Sequence, residues 1–256
     1  MLLGLIALSL SACGDRDDET PGGSSRGDDK PQLTVSAAAS LKAGFTEYGR
    51  RFPGASARFS FAGSDELAAQ IEQGIRPDVY AAADTRLPEA LHAKGLVEQP
   101  VVFAGNRLVL AVPAGKGRVS SLEDLEPAGV KLAVGSRNAP VGSYTHAVLA
   151  QLPAARRDAI FANVRSEEPD VAGITGKLTQ GVVDAGFLYI SDVRAAGGRL
   201  KAIELPADLR PSVAYGVAVV KGAEQPALAE AFIAGLLDGA GAEALMDAGF
   251  EPPPAR

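Results

Sequence analysis

From Gln32 onward the chain alternates between short β-rich runs and helical patterns, and that order restricts the fold more than any other feature. "QLTVS" reads as a strand, after which Leu41, Phe45, Tyr48 and Phe52 recur at helical spacing on one face. "ARFSFA" is a second strand and "SDELAAQIEQG" a second helix, with Asp65 and Glu66 in its first turn and Gly74 at its end. "DVYAAA" is a third strand, followed by a helix through Leu91 that closes near Gly95. Parallel strands need long crossovers and antiparallel ones do not, so a β-α-β-α-β-α order implies a parallel sheet with helices on both faces.

A second series begins after "NRLVLAVPAGKG". "KLAVG" is a strand, "VGSYTHAVLAQL" and "DVAGITGKLTQG" are helices, and "DAGFLYI", "LKAIELP" and "SVAYGVAVVKG" are strands. The chain ends in two helices, "QPALAEAFIAGLL" and "AGAEALMDAG". Two long apolar strands, Leu108 to Val112 and Tyr215 to Val220, bracket this series. They are expected to be the crossovers between two lobes, with the last helices returning to the first. No internal repeat of solenoid length is present.

Ahead of Gln32 the composition changes. "MLLGLIALSLSA" is an apolar run with the length of a signal-peptide core, too short to span a bilayer as a mature helix. It ends in "LSAC", residues 10 to 13, which resembles the bacterial lipobox, whose cysteine is lipidated and becomes the new N-terminus. No basic n-region precedes it, which is compatible with a start upstream of Met1. A buried cysteine in an N-terminal helix is the competing reading, and the next stretch disfavours it. Residues 14 to 30, "GDRDDETPGGSSRGDDK", cannot bury apolar area and are expected to be a flexible tether. Cys13 is the only cysteine, so neither an intrachain disulfide nor a thiolate metal cluster is possible. The formal charge is −6, and the tether, with six acids against three bases, holds half of it. Nothing in this balance favours nucleic acid, whose phosphate backbone calls for a basic face.

In an open parallel sheet, ligands bind beyond the C-terminal ends of strands, where helix N-termini present unsatisfied N–H groups. Ser40 follows "LTVSAAA" and starts a helix; Ser64 follows "RFSFAG" and starts the next. Each is either a helix cap or a hydroxyl donor to an anion. The small residues Ala37 to Ala39 and Gly63 leave room for an oxyanion to approach the backbone. In the second series "RNAPVGSYT" places Pro140, Val141 and Gly142 at a strand-to-helix turn, and "EEPDVAGI" places Asp170 and Val171 at another. Their apolar side chains leave only backbone N–H groups for a ligand. Tyr189 ends the strand "AGFLYI", as a packing residue or as a hydroxyl turned into a cleft.

Taken together, "AAASL", "FAGSDELAAQIEQG", "PDVYAAAD", "RLVLAVP", "KLAVG", "APVGSY", "EPDVAG", "DAGFLYISD" and "YGVAVVKG", in that order, resemble the periplasmic molybdate-binding component of ABC importers over residues 33 to 250. The resemblance implies a type II periplasmic-binding-protein fold: two α/β lobes, each a mostly parallel sheet flanked by helices, joined by a two-strand hinge. Lobe 1 would comprise residues 31–107 and 215–256, and lobe 2 residues 108–214. It further implies that one tetrahedral oxyanion, molybdate or tungstate, is held by neutral donors. By matching motifs these are the hydroxyls of Ser40, Ser64 and Tyr189 and the backbone N–H groups of Val141 and Val171. Valine replaces the family's usual alanine at position 141, which backbone donation tolerates. Implied partners are the oxyanion and a membrane permease, with a lipid anchor at Cys13, no further cofactor, no direct protein ligand to a metal, and a monomeric chain. Sulfate or phosphate is the alternative ligand.

Enzymatic readings find little support. No G-x-S-x-G elbow surrounds Ser40 or Ser64, and no H-E-x-x-H occurs. "GITGK" has two residues before Gly-Lys where a phosphate loop has four, and Leu178 where Ser or Thr is required. His92 and His146 are expected on solvated helix faces. A sensor or structural lipoprotein that kept the fold without transport is compatible with the same sequence.

Overall fold

The computed structural model describes residues 30–115 and 117–254. Cys13, its apolar run and nearly all of the expected tether therefore lie outside the described residues. Strand β1 (Gln32–Ala38) leads through a 3-10 turn (Ala39–Leu41) into α1 (Lys42–Arg51). Then follow β2 (Ser56–Ala62), α2 (Ser64–Glu72), β3 (Val79–Ala82), α3 (Arg86–Ala93), β4 (Val101–Asn106) and β5 (Leu108–Pro113). Beyond them come β6 (Leu132–Gly135), α4 (Pro140–Ala150), α5 (Ala154–Ala162), β7 (Val164–Glu168), α6 (Val171–Thr179) and β8 (Ala185–Tyr189). The chain continues through α7 (Ile190–Ala195), β9 (Leu200–Glu204), β10 (Val213–Val219), α8 (Pro226–Leu237) and α9 (Ala240–Asp247).

The strands form two five-stranded sheets, ordered β2-β1-β3-β10-β4 and β7-β6-β8-β5-β9. Neither is wholly parallel. In the first, β10 runs antiparallel to both β3 and β4; in the second, β5 runs antiparallel to both β8 and β9. The reversed strand is in each case the one that arrives from the other sheet. The chain passes from the first sheet to the second through Arg107 alone, between β4 and β5, and returns through residues 205–212. Helices flank the sheets, giving the two-lobed α/β architecture the sequence implies.

Burial follows from the pairing. Strand β3 is covered on both faces, so all four of its residues are buried and apolar rather than alternating. Val79 and Ala81 point into the large core that runs through both sheets, whereas Tyr80 and Ala82 join Leu67, Ile71 and Leu91 of α2 and α3. On the other side α8 seals the first sheet with Phe232, whose ring lies 4.5 Å from Tyr48, 5.3 Å from Phe52 and 5.6 Å from Phe45. Those three aromatics belong to the helical stripe read from the sequence. His146 departs from expectation: it is half-buried, its ring stacked 4.8 Å from Phe161, because α5 covers that face of α4. His92 is also half-buried, its Nδ1 3.1 Å from the Val97 carbonyl.

Candidate functional site

The strand ends and helix starts singled out above converge on one pocket between the sheets, with about 230 Å³ of space including its mouth. Ser40, Ser64, Val141, Val171 and Tyr189 all line it. So do Ala38, Ala39 and Gly63, the small residues that let a ligand reach backbone. Among the described residues, no Lys, Arg or His lines it. Its donors are hydroxyls and N–H groups, and the N-termini of α2, α4 and α6 all open onto it, so their partial positive charges point inward together.

Ser40 does not cap a helix; it is the middle residue of the 3-10 turn, 6% exposed. Its Oγ lies 2.9 Å from the Tyr215 hydroxyl. Ser64 is the first residue of α2, with Gly63 as the cap. Its Oγ accepts the Ala83 N–H at 3.1 Å, and its carbonyl accepts the Tyr80 hydroxyl at 2.7 Å, so β3 and the residue that follows it fix the serine from behind. The cap reading of both serines thus fails on geometry: neither side chain satisfies its own helix.

The backbone donors are isolated by their neighbours. Pro140 opens α4 without an N–H of its own, which makes Val141 the first donor of that helix. Gly142 allows this turn to lie against the end of β6, since a Cβ there would collide with the Ser136 carbonyl. At α6 the Asp170 side chain accepts the N–H groups of Ala172 at 2.8 Å and Gly173 at 3.1 Å. The cap therefore consumes the second and third N–H groups of the helix and leaves the first, that of Val171. Among the described residues Asp170 is the one carboxylate lining the pocket, and this oxygen is committed to its own helix.

Tyr189 is 1% exposed and its hydroxyl has no hydrogen-bond partner among the described residues. Burial pushes its pKa well above the ordinary phenol value, so it remains a donor. An orphaned hydroxyl in such surroundings costs about 1–3 kcal/mol unless something accepts from it. Asp192, three residues on, accepts the Tyr189 N–H at 3.0 Å and holds the strand end in place. The two sheets meet beside the pocket, where Arg86 donates to the Asn138 carbonyl at 3.2 Å and Gly63 lies against Pro169. Tyr215, Asn106, Ser191 and Asp192, which support this constellation, carry no local sequence signal for that role apart from Asp192, an acid in the first turn of α7.

Comparison with known proteins gives the family and agrees with the fold. A family model described as "Bacterial extracellular solute-binding protein" matches residues 33–251. The molybdate-binding protein ModA of Mycobacterium tuberculosis (strain ATCC 25618 / H37Rv) is 34% identical over 258 residues, covering 97% of this chain and 95% of that protein. ModA of Escherichia coli (strain K12) is 30% identical over 206 residues, 76% of this chain and 79% of that protein. Among solved structures, the periplasmic molybdate-binding protein of Azotobacter vinelandii superposes with a TM-score of 0.78 at 21% identity, over 87% of this chain and 100% of that one. The sulfate-binding protein SubI of Mycobacterium tuberculosis H37Rv superposes with a TM-score of 0.76 at 17% identity, over 87% of each chain, which is likeness of fold.

Proposed function

Because the chain belongs to the family of bacterial extracellular solute-binding proteins, we propose that its cleft captures molybdate as the free oxyanion and delivers it to the permease of an ABC importer. The observation that carries the site assignment is the Tyr189 hydroxyl, buried and without a partner, in the pocket that Ser40, Ser64, Val141 and Val171 also line. The relatives' binding of molybdate supports the choice of ligand.

The donor set suits a dianion that has no proton to give. A buried anion without a cationic partner is costly unless fixed dipoles surround it, and here three helix N-termini and three hydroxyls do so. Molybdate and tungstate are both fully deprotonated at neutral pH and nearly equal in size, so the pocket takes both. Sulfate is smaller and meets the same donors at poorer spacing. Hydrogenphosphate brings a proton that needs an acceptor, and the one lining carboxylate already spends an oxygen on α6. Residues 31–107 with 215–256 act as one lobe and 108–214 as the other, closing over the ion about the two crossovers. Lipidated Cys13 anchors the chain outside the cytoplasm, residues 14–30 give it reach, and it works as a monomer.

Calorimetric titration of the chain with molybdate, tungstate, sulfate and phosphate tests this reading. Molybdate and tungstate are expected to bind alike and sulfate and phosphate more weakly. Ser40→Ala and Ser64→Ala should each lower molybdate affinity about 10- to 100-fold, the loss of one hydrogen bond to a charged group. A chain that binds sulfate and ignores molybdate would assign the pocket to the other oxyanion.

A further inference from the structure

The Ser40 hydroxyl has two neighbours to serve, the pocket and Tyr215, and only one proton. Which neighbour receives it is decided further along a buried chain of hydrogen bonds. Arg107 N–H, which can only donate, gives its proton to Asn106 Oδ1 at 2.9 Å and so fixes which end of that amide is the oxygen. Asn106 Nδ2 therefore donates, to Ser191 Oγ at 2.9 Å and to the Tyr215 hydroxyl at 3.3 Å. Tyr215 is fully buried, and its oxygen lies 2.9 Å from Ser40 Oγ. Were Ser40 to donate to Tyr215, the phenol proton would be left without an acceptor among the described residues, at the cost of a buried unsatisfied donor. With Tyr215 donating to Ser40, the phenol proton has an acceptor and the serine proton is free to point into the pocket.

We propose that Tyr215 is a positioning residue that commits the Ser40 hydroxyl to donating into the pocket, and thereby a determinant of its preference for fully deprotonated oxyanions. This rests on the reading of the pocket as an oxyanion site. The inner lone pair of Ser40 is filled by Tyr215 just as that of Ser64 is filled by the Ala83 N–H. In each serine one acceptor site is taken from behind, which leaves the hydroxyl proton to be given to the ligand. The chain also spans the crossover: Tyr215 and Asn106 belong to β10 and β4 of the first sheet, and Ser191 to α7 of the second, two residues beyond Tyr189.

The test is a double-mutant cycle on the full chain, read by calorimetry with molybdate and with inorganic phosphate. Tyr215→Phe keeps the ring and its edge contacts with Phe103, Tyr189 and Phe250. It should lower molybdate affinity about tenfold while phosphate affinity stays level or rises, because Ser40 can again accept. In a Ser40→Ala background the same change should cost less than about twofold more, since the two act as one unit. Asn106→Ala, which removes the donor that biases Tyr215, should narrow the molybdate-to-phosphate ratio in the same direction. Equal losses for both ligands, or losses that add to that of Ser40→Ala, would mark Tyr215 as packing alone and overturn the proposal. A wild-type chain that takes up neither molybdate nor sulfate nor phosphate overturns the oxyanion reading and this one together. Wild-type binding with Tyr215→Phe indistinguishable from it overturns this one alone.

Discussion

Asp192 is a carboxylate 7% exposed, with one oxygen spent on the Tyr189 N–H and no cation against it in the described ion pairs. Burial pushes its pKa up to about 7, the Tyr189 N–H pulls it down, and the charge of Asp170 adds to the rise. The unfolded chain gives up that proton near the ordinary carboxylate value of about 4. Between about pH 4 and 7 the folded protein therefore holds a proton the unfolded chain has lost, and its stability falls as pH rises through that window. The melting temperature of the ligand-free chain should drop between pH 5 and pH 8 by more in the wild type than in Asp192→Asn, whose amide oxygen can still accept from Tyr189. Parallel curves would show that Asp192 keeps its charge in the fold. At this scale the site was partly legible in the sequence. Ser40, Ser64 and Tyr189 stood at strand ends in a recognisable order, but Tyr215 and Asn106 earn their roles by contacts with residues far away in the chain, which no local pattern records.

Helix starts are the elements that make the pocket, and α6 offers the cleanest way to test one. Proline is tolerated at the first helical position, and the residue before it must be extended, as Asp170 already is at φ −153° and ψ 178°. Val171→Pro therefore deletes one N–H from the pocket while leaving the Asp170 cap intact. It should weaken molybdate binding about 10- to 100-fold with little change in the ligand-free melting temperature, whereas Val171→Ala, which keeps the N–H, should bind within about threefold of wild type. If both bind alike, the Val171 N–H is not a ligand donor. The elements legible in the sequence were those with a buried face and a clear stop. Strand β4 carries no separate signal in the sequence because it abuts β5 with only Arg107 between and no connecting loop marks where one ends and the other begins. Edge strand β7, "VRSEE", has no residue that is fully buried and reads as polar linker. Helix α5 buries only Ile160, and α7 is six residues long, too short for a period to show. The mostly parallel expectation holds except at one reversed strand in each sheet: the direction of β5 and β10 is set by which sheet the chain arrives from.

For the molecule as a whole, capture requires that the two sheets' loops meet closely, and Gly63 stands at one such approach. Its backbone, at φ −58° and ψ 136°, suits any residue, and within the first lobe a Cβ would press on the Asp65 carboxylate at 3.1 Å, the end of a side chain that can turn aside. A Cβ would nevertheless stand 2.8 Å from the Pro169 carbonyl of the opposite lobe. Gly63→Ala should thus leave the ligand-free melting temperature nearly unchanged, weaken molybdate binding, and in small-angle scattering with molybdate give a larger radius of gyration than the wild type. Equal radii with equal affinity would show that closure tolerates the extra atom. The return of the chain into the first sheet has a different consequence, for the order of events during synthesis. Ala82 of β3 pairs with Gly216 of β10, so the centre of the first sheet stays open until the second has been made. A chain interrupted before Val213 would present β3 as a bare edge and β4 without a neighbour, the kind of template on which strands from other molecules assemble. The fold is therefore completed last at its own middle, and a nascent chain depends on reaching its C-terminal quarter before anything else pairs there.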